Sequence, residues 1–171
     1  MDSFSILKLE LNKVITLEDE LWQQLVSRGE LVRLKKGEHL LLAGQVCKYG
    51  YYVNTGSFVH TFIGNDGKES VVGFSIDDRN RFLSSAKSYY SETSSSFEIK
   101  ALENSEIIRF SKQDLEMLAH TYISFASFYH SIVSNSLLNM YMFNAMRLSL
   151  TSEKFIKYLH GDFFCSKPII S

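Results

Sequence analysis

Residues 51–74 decide the fold of this chain and read YYVNTGSFVHTFIGNDGKESVVGF. Two runs rich in β-branched and aromatic residues flank the sequence GNDG at 64–67, in which asparagine, aspartate and glycine tolerate the backbone angles of a tight hairpin. Before this hairpin, the apolar run at 51–53 ends at the turn sequence NTG. The stretch therefore predicts three consecutive short strands.

The same pattern continues on both sides of this stretch. Apolar runs at 31–34 and 39–42 precede it, and runs at 97–102 and 106–110 follow it. Eight of the nine glycines lie between Gly29 and Gly73, so turns punctuate the front half of the chain, whereas the back half has few backbone breakers. Several short strands at close, regular spacing are typical of a β-barrel or jelly roll.

A short helix and a polar segment complete the front half. Thr16 with Asp19 is arranged as in a capping box, and Gly29 suits the left-handed position that ends a helix. Residues 75–96 are polar and rich in serine, and the pair Phe82–Leu83 within them fits a short helix. This segment interrupts the series of strands.

The back half predicts one long helix. Ser111 with Asp114 forms a capping-box-like start, and neither glycine nor proline interrupts the chain from Lys112 to about Arg147. Such a helix would run about 50 Å, which is more than one small barrel can cover. A further helix starts near Thr151.

The long helix is apolar on more than one face, and charged residues are almost absent between Met117 and Met146. Because the barrel can cover one face, we expect the same helix of a second subunit to cover another. Packing within the monomer is the alternative. A homodimer is thus predicted, and Phe125→Asp or Ile132→Asp should dissociate it. The predicted dimerisation residues are Leu118, Tyr122, Phe125, Tyr129, Ile132, Leu137 and Met140.

Taken in order, these segments resemble the cyclic-nucleotide-binding-domain superfamily, and specifically its Crp/Fnr-like transcription regulators. The matching motifs are KGEHLLLAG at 36–44, YYVNTG at 51–56, DGKE at 66–69 and IKALENSE at 99–106, followed by the long helix. The resemblance implies an α+β fold: a double-stranded β-helix (jelly-roll) barrel with a short N-terminal helix and a long C-terminal dimerisation helix. It assigns residues 1–110 to the barrel, 111–147 to the dimerisation helix and 148–171 to the start of a truncated DNA-binding domain.

The resemblance also implies a function. The chain would be the effector-sensing and dimerisation part of a cytoplasmic regulator, not an enzyme, and would reach DNA only through a C-terminal helix-turn-helix that this sequence does not contain. A ligand-binding or protein-interaction module built on the same barrel, without DNA-binding activity, is the alternative. The net charge of −1 gives no strongly basic face for nucleic acid, and no stretch is long enough to cross a bilayer.

Relatives that bind cyclic nucleotides use a Phe-Gly-Glu turn and an arginine that pairs with the cyclic phosphate. Here Phe74 is followed by Ser75 and Ile76, and serines stand where the arginine is expected, with Lys87 as the nearest cation. We therefore do not expect cyclic AMP to bind. The effector is an unknown small molecule or none. The degenerate phosphate-binding cassette that would hold it is predicted to consist of Phe74, Asp77, Phe82, Tyr89, Ser94, Ser95 and Ser96.

Metal-dependent and nucleophilic catalysis lack the necessary patterns. The five histidines form no closely spaced pair of the kind that holds a metal in cupins, although His60 is placed to face a barrel interior. Cys47 and Cys165 lie far apart, which argues against a disulfide or a zinc site and favours a reducing compartment. No cofactor or metal is expected.

Overall fold

The computed structural model describes residues 3–77 and 80–159, and within them eight strands form two antiparallel sheets. The first sheet contains, in spatial order, β1 (Glu30–Leu34), β8 (Ser105–Ser111), β3 (Tyr49–Thr55) and β6 (Phe82–Leu83). The second contains β2 (His39–Leu41), β7 (Phe97–Ala101), β4 (Ser57–Ile63) and β5 (Glu69–Ile76). Strand β1 pairs with β8, β2 with β7, β3 with β6 and β4 with β5, which is the nested pairing of a jelly roll. The predicted fold class is confirmed.

Helices stand before, within and after the barrel. They are α1 (Ser5–Val14), α2 (Asp19–Arg28), α3 (Ala86–Ser91), α4 (Lys112–Thr121), α5 (Ile123–Ser149) and α6 (Ser152–Tyr158). Of the predicted third region, 148–171, the residues from 160 onward lie outside the described part of the chain. The sequence analysis did not predict α1, whose Leu7 and Leu11 are buried one helical turn apart.

The hairpin predicted at 64–67 is confirmed. The amide of Gly64 donates to the carbonyl of Lys68 at 2.9 Å, and the amide of Gly67 donates to the carbonyl of Gly64 at 2.9 Å. The side chain of Asp66 accepts from the amide of Lys68 at 3.1 Å. These bonds join β4 to β5 in the register that the turn sequence requires.

Strand β3 shows why the first sheet is covered on both faces. Tyr51 and Val53 point into the barrel interior, where they pack with Phe58 and Ile107. Tyr52 points the other way, into an outer cluster formed with α1, α2, α4 and α5. This alternation with period two divides the core into an inner and an outer part.

Three local predictions are wrong. Helix α2 begins at Asp19 with Glu18 at its N-cap and no side-chain cap, so Thr16 does not cap it. Gly29 has φ −75° and is not left-handed; a Cβ there would lie 2.7 Å from the ring of Phe4, so close packing explains the glycine. The pair Phe82–Leu83 forms β6 instead of a helix, because it pairs with β3 at the sheet edge.

The predicted single long helix is divided at Tyr122. The predicted cap is confirmed, since Ser111 accepts from the amide of Asp114 at 3.0 Å, but Tyr122 adopts an extended backbone with φ −118° and ψ 112°. A straight helix would carry Phe128 about 15 Å beyond Leu118 along its axis. The break instead lets both residues pack in the outer cluster. Burial of these side chains thus overrides the local preference for continuous helix.

The structure places much of the predicted dimer seam inside the single chain. Leu118 and Phe125 are 0% and 3% exposed within one chain, and Tyr122, Tyr129 and Ile132 pack against the same outer cluster. A charge at Phe125 would therefore break the core of the single chain. In contrast, the side chains of Leu137 and Met140 are 60% and 54% exposed.

Gly56 provides a test of the barrel geometry. Its φ is +101°, and an added Cβ would lie 2.6 Å from the Cβ of Ser105. We expect Gly56→Ala to lower the free energy of unfolding by about 3 kcal/mol, because strain and overlap act together. Gly67 also has a positive φ but open space around it, so Gly67→Ala should cost about 1 kcal/mol. Urea unfolding measures both, and equal losses would contradict this packing.

Candidate functional site

A cavity of about 550 Å³ lies between the barrel and α5. Its lining includes residues of β5 and β6, one edge strand from each sheet, which do not pair with each other, and residues of α5, which lies across this gap. Such a volume is in the range of pockets that bind small organic molecules. Its lining includes Tyr51, His60, Gly73, Phe74, Ser75, Phe82, Leu83, Tyr89, Phe97, Phe128, Ile132, Ser136, Leu137, Met140 and Phe143.

The lining is apolar and nearly uncharged. Lys87 is the one Lys, Arg, Asp or Glu side chain among the described lining residues, and it is exposed. Arg81, which lies nearby, donates to the backbone carbonyls of Val53 and Asn54 at 2.9 and 3.1 Å. Among the residues that the structure describes, none therefore offers a fixed, buried charge to an anionic group in the cavity.

One polar pair stands inside the barrel end of the cavity. Nε2 of His60 lies 3.0 Å from Oγ of Ser75, and Ser75 is completely buried. Burial lowers the pKa of His60 from 6.5 to about 4, because the charged imidazolium is disfavoured away from water. The imidazole is thus neutral near pH 7 and can present one donor and one acceptor.

A tyrosine pair connects the cavity wall to the long helix. The hydroxyl of Tyr129 on α5 donates to the hydroxyl of Tyr89 on α3 at 3.2 Å. Burial raises the pKa of Tyr89 to about 12, so both phenols stay protonated under physiological conditions. This hydrogen bond links α3 directly to α5.

Farther along α5, Phe143 is a second point of attachment. Its ring packs edge-on against Phe74 of β5, with centroids 6.2 Å apart, and against Phe155 of α6, with centroids 5.4 Å apart. The guanidinium of Arg147 donates to the carbonyl of Val71 at 3.2 Å. These contacts join the hairpin edge of the barrel to α5 and α6 at the far end of the cavity.

The predicted cassette residues separate into two groups. Phe74, Phe82 and Tyr89 line the cavity. Asp77 lies outside it and accepts from the amide of Gly56 at 3.0 Å, which ties the end of β5 to the β3–β4 turn.

The three serines at 94–96 also lie outside the cavity lining. Ser95 is buried, with its hydroxyl 2.8 Å from that of Ser85 and bonded to the backbone of Phe97. Ser94 forms an isolated bridge to Val46, and the carbonyl of Ser96 accepts from Ile63. All three have roles in backbone structure.

Sequence reasoning missed Gly73, Ser75 and the lining residues of the second half of α5. The spacing along the strands could have indicated the first two. His60 follows the buried Phe58 by two positions, and Gly73 and Ser75 are also two apart, so each pair shares one face of its strand. The α5 residues could not be assigned, because the direction of α5 depends on the break at Tyr122.

Metal binding and thiol chemistry have little support in the described residues. No three His, Cys, Asp or Glu side chains among them come close enough to share a metal ion. Cys47 is buried, its thiol donates to the carbonyl of Tyr49 at 3.4 Å, and burial raises its pKa, which disfavours a reactive thiolate. None of the helices in the described residues has the combination of length and apolarity needed to cross a bilayer.

The lowered pKa of His60 predicts a pH-dependent stability. Between about pH 6.5 and 4 the unfolded chain binds a proton that the folded chain does not, so stability falls as pH falls through this window. We expect His60 to contribute up to about 3 kcal/mol of this loss. Urea unfolding at pH 7 and pH 4.5 should show a smaller loss for His60→Gln than for the unaltered chain. Identical losses would mean that His60 is not held neutral.

Comparison with solved structures shows the same fold in regulatory proteins. The sensor domain of the transcriptional regulator DNR from Pseudomonas aeruginosa is 18% identical, with a TM-score of 0.64 over 78% of this chain and 87% of that one. The c-di-GMP responsive global regulator CLP from Xanthomonas campestris is 17% identical, with a TM-score of 0.65 over 84% and 71%. The regulatory subunit of a cAMP-independent protein kinase A from Trypanosoma brucei is 13% identical, with a TM-score of 0.63 over 85% and 48%.

At the level of sequence, no curated protein matches the chain. The family described as Cyclic nucleotide-binding domain matches residues 31–122, more than half of the chain, from β1 to the break between α4 and α5. This range contains the whole barrel, including the gap between β5 and β6 where the cavity lies. The chain therefore belongs to the cyclic nucleotide-binding domain family.

Proposed function

We propose that this chain is the effector-sensing and dimerisation part of a cytoplasmic Crp/Fnr-type transcription regulator, and that its effector is not a cyclic nucleotide. The observation that carries the proposal is the cavity beneath α5, which is large enough for a small molecule and into which the described lining residues place no buried cation. The family is a regulatory one, and the similar structures include the sensor domain of a transcriptional regulator. The proposed role is binding without catalysis.

A cyclic nucleotide would bring a phosphate group for which this cavity is poorly suited. A buried phosphate needs a cationic partner, preferably a bidentate arginine, because its desolvation is costly. Where such an arginine is expected, Ser95 bonds to Ser85 and Phe97 instead. Arg81 is engaged by backbone carbonyls, and Lys112 is paired with Glu92 at 2.9 Å. The apolar lining suits a different class of molecule.

Signal transmission would use the attachments of α5. A ligand beside α3 and β5 would press on the Tyr89–Tyr129 pair and on the Phe74–Phe143 contact, both of which hold α5. A ligand that prefers one arrangement of α5 shifts the population towards it. DNA would then be reached through a domain beyond the residues present here.

Dimerisation would use the outer face of α5. The exposed side chains of this face outside the cavity lining include Leu138, Tyr141 and Met142, which are large and apolar, and the partly exposed Val133, Leu137 and Met140 lie at the edge of that lining. No Asp, Glu, Lys or Arg occurs between Met117 and Met146, so an identical helix can pack against the face without repulsion. The occupant that best fits an uncharged, self-complementary helix face is a second copy of the chain.

The nucleotide proposal is tested by calorimetric titration of cyclic AMP and cyclic GMP into the purified chain. We expect no binding heat and no rise in Tm at millimolar nucleotide, since the phosphate has no buried cation. Ser95→Arg restores a cation at the cassette position and serves as the comparison variant. Micromolar binding by the unaltered chain would contradict the proposal.

The dimer proposal is tested by sedimentation of Leu138→Glu. This change places a charge in the exposed apolar face of α5, outside the cavity lining, so we expect the dissociation constant of the dimer to rise at least about a hundredfold. Leu9→Glu on α1 is the matched control, because Leu9 is 58% exposed and Leu138 is 60% exposed. A dimer that survives Leu138→Glu, or that Leu9→Glu dissociates, would refute this interface.

A further inference from the structure

Among the described glycines, Gly73 is the one for which neither a positive φ nor a close neighbouring atom explains the absence of a side chain. Gly37, Gly44, Gly56 and Gly67 have positive φ, and a Cβ at Gly29, Gly50, Gly56 or Gly64 would meet atoms closer than 3 Å. Gly73 has neither property: its φ is not positive, and nothing lies within 4 Å of an added Cβ. Glycine within a strand weakens the strand, and it often marks a close approach of another group.

The space beside Gly73 belongs to the cavity. Gly73 pairs directly with His60 across β5 and β4, so the two positions share one face of the sheet. The next pair on that face, Phe58 and Ser75, is completely buried, which identifies the face as the barrel interior. Gly73, His60 and Ser75 all line the cavity. The missing side chain therefore leaves room next to the polar pair.

A β-bulge at this site does not account for the glycine. The register between β4 and β5 shifts between His60 and Thr61, which leaves Val72 opposite no residue. A bulge needs glycine where the backbone is left-handed, and Gly73 is not left-handed. Any L-residue could hold this backbone position, so the open space itself is the feature to be explained.

We propose that the barrel end of the cavity binds a neutral, mainly aromatic or apolar molecule, whose single hydrogen-bonding group lies against His60 and Ser75 and whose ring system passes over Gly73. This rests on the proposed function and specifies its ligand class. The aromatic side chains Tyr51, Phe97 and Phe128 supply the apolar contacts. One hydroxyl or carbonyl can bond to the polar pair, whereas an anion meets no buried cation in the described lining.

The test compares probes of one shape and different charge. At pH 7, 2-naphthol is neutral with one hydroxyl, 2-naphthoate is anionic, and 2-methylnaphthalene has no polar group. We expect the full chain to bind 2-naphthol in calorimetric titration and to bind 2-naphthoate at least about tenfold more weakly, because the carboxylate loses its hydration without compensation. Equal or tighter binding of 2-naphthoate would overturn the ligand class.

Two variants locate the site. Gly73→Leu fills the space and should abolish 2-naphthol binding, while the circular dichroism spectrum and Tm are retained. Val71→Leu is the control, because Val71 lies on the same strand but outside the cavity lining, and it should leave 2-naphthol binding unchanged. His60→Phe removes the hydrogen bond and should weaken 2-naphthol about tenfold without weakening 2-methylnaphthalene. Unchanged 2-naphthol affinity in Gly73→Leu would refute the site.

The outcomes also separate this proposal from the broader one. If the unaltered chain binds 2-naphthoate in a manner that Gly73→Leu abolishes, the cavity is a sensor site but the neutral class is wrong. If the unaltered chain binds none of the naphthyl probes, the ligand class is overturned. The proposed function is then tested separately by the titration with cyclic AMP and cyclic GMP. Binding of cyclic AMP competing with 2-naphthol would overturn the proposed function and leave the Gly73 site intact.

Discussion

The unpaired edges of β5 and β6 impose the constraint on which the rest of this structure depends. Two four-stranded sheets pair internally, but these two edge strands do not pair with each other, so the barrel has an open side. Exposed strand edges and barrel interior must be covered. Helix α5 lies across the opening, attached through Tyr129 near one end and Phe143 near the other, and the cavity is the space left between those attachments.

The chemistry of that space follows from what faces it. The segment formed by β6 and α3 contributes aromatic rings and hydroxyls to it. Of the described cations near it, Arg81 is held by backbone carbonyls, Lys112 is paired with a carboxylate, and Lys87 is exposed. A low-polarity site without a fixed charge favours neutral ligands, because an unpaired buried charge is costly. The neutral state of His60 is a consequence of the same environment.

Helix α5 serves two surfaces because it carries no Asp, Glu, Lys or Arg before Arg147 in its last turn. One stripe, with Phe125, Tyr129 and Ile132, packs on the barrel and on α1 and α2. The other, with Leu138 and Tyr141, is exposed in the single chain and forms the proposed dimer face. A change in the cavity that moves the inner stripe necessarily moves the outer one, since both belong to one rigid helix.

The sequence by itself determined the jelly roll, most strand positions, the hairpin at 64–67 and the Ser111 cap, because these depend on local turn chemistry and on alternation with period two. It also indicated three lining residues, Phe74, Phe82 and Tyr89. The tertiary structure alone decided the break at Tyr122, the division of α5 into inner and outer faces, and the open space beside Gly73. Each of these depends on how distant segments pack together, and local sequence does not encode the direction in which a helix leaves the barrel.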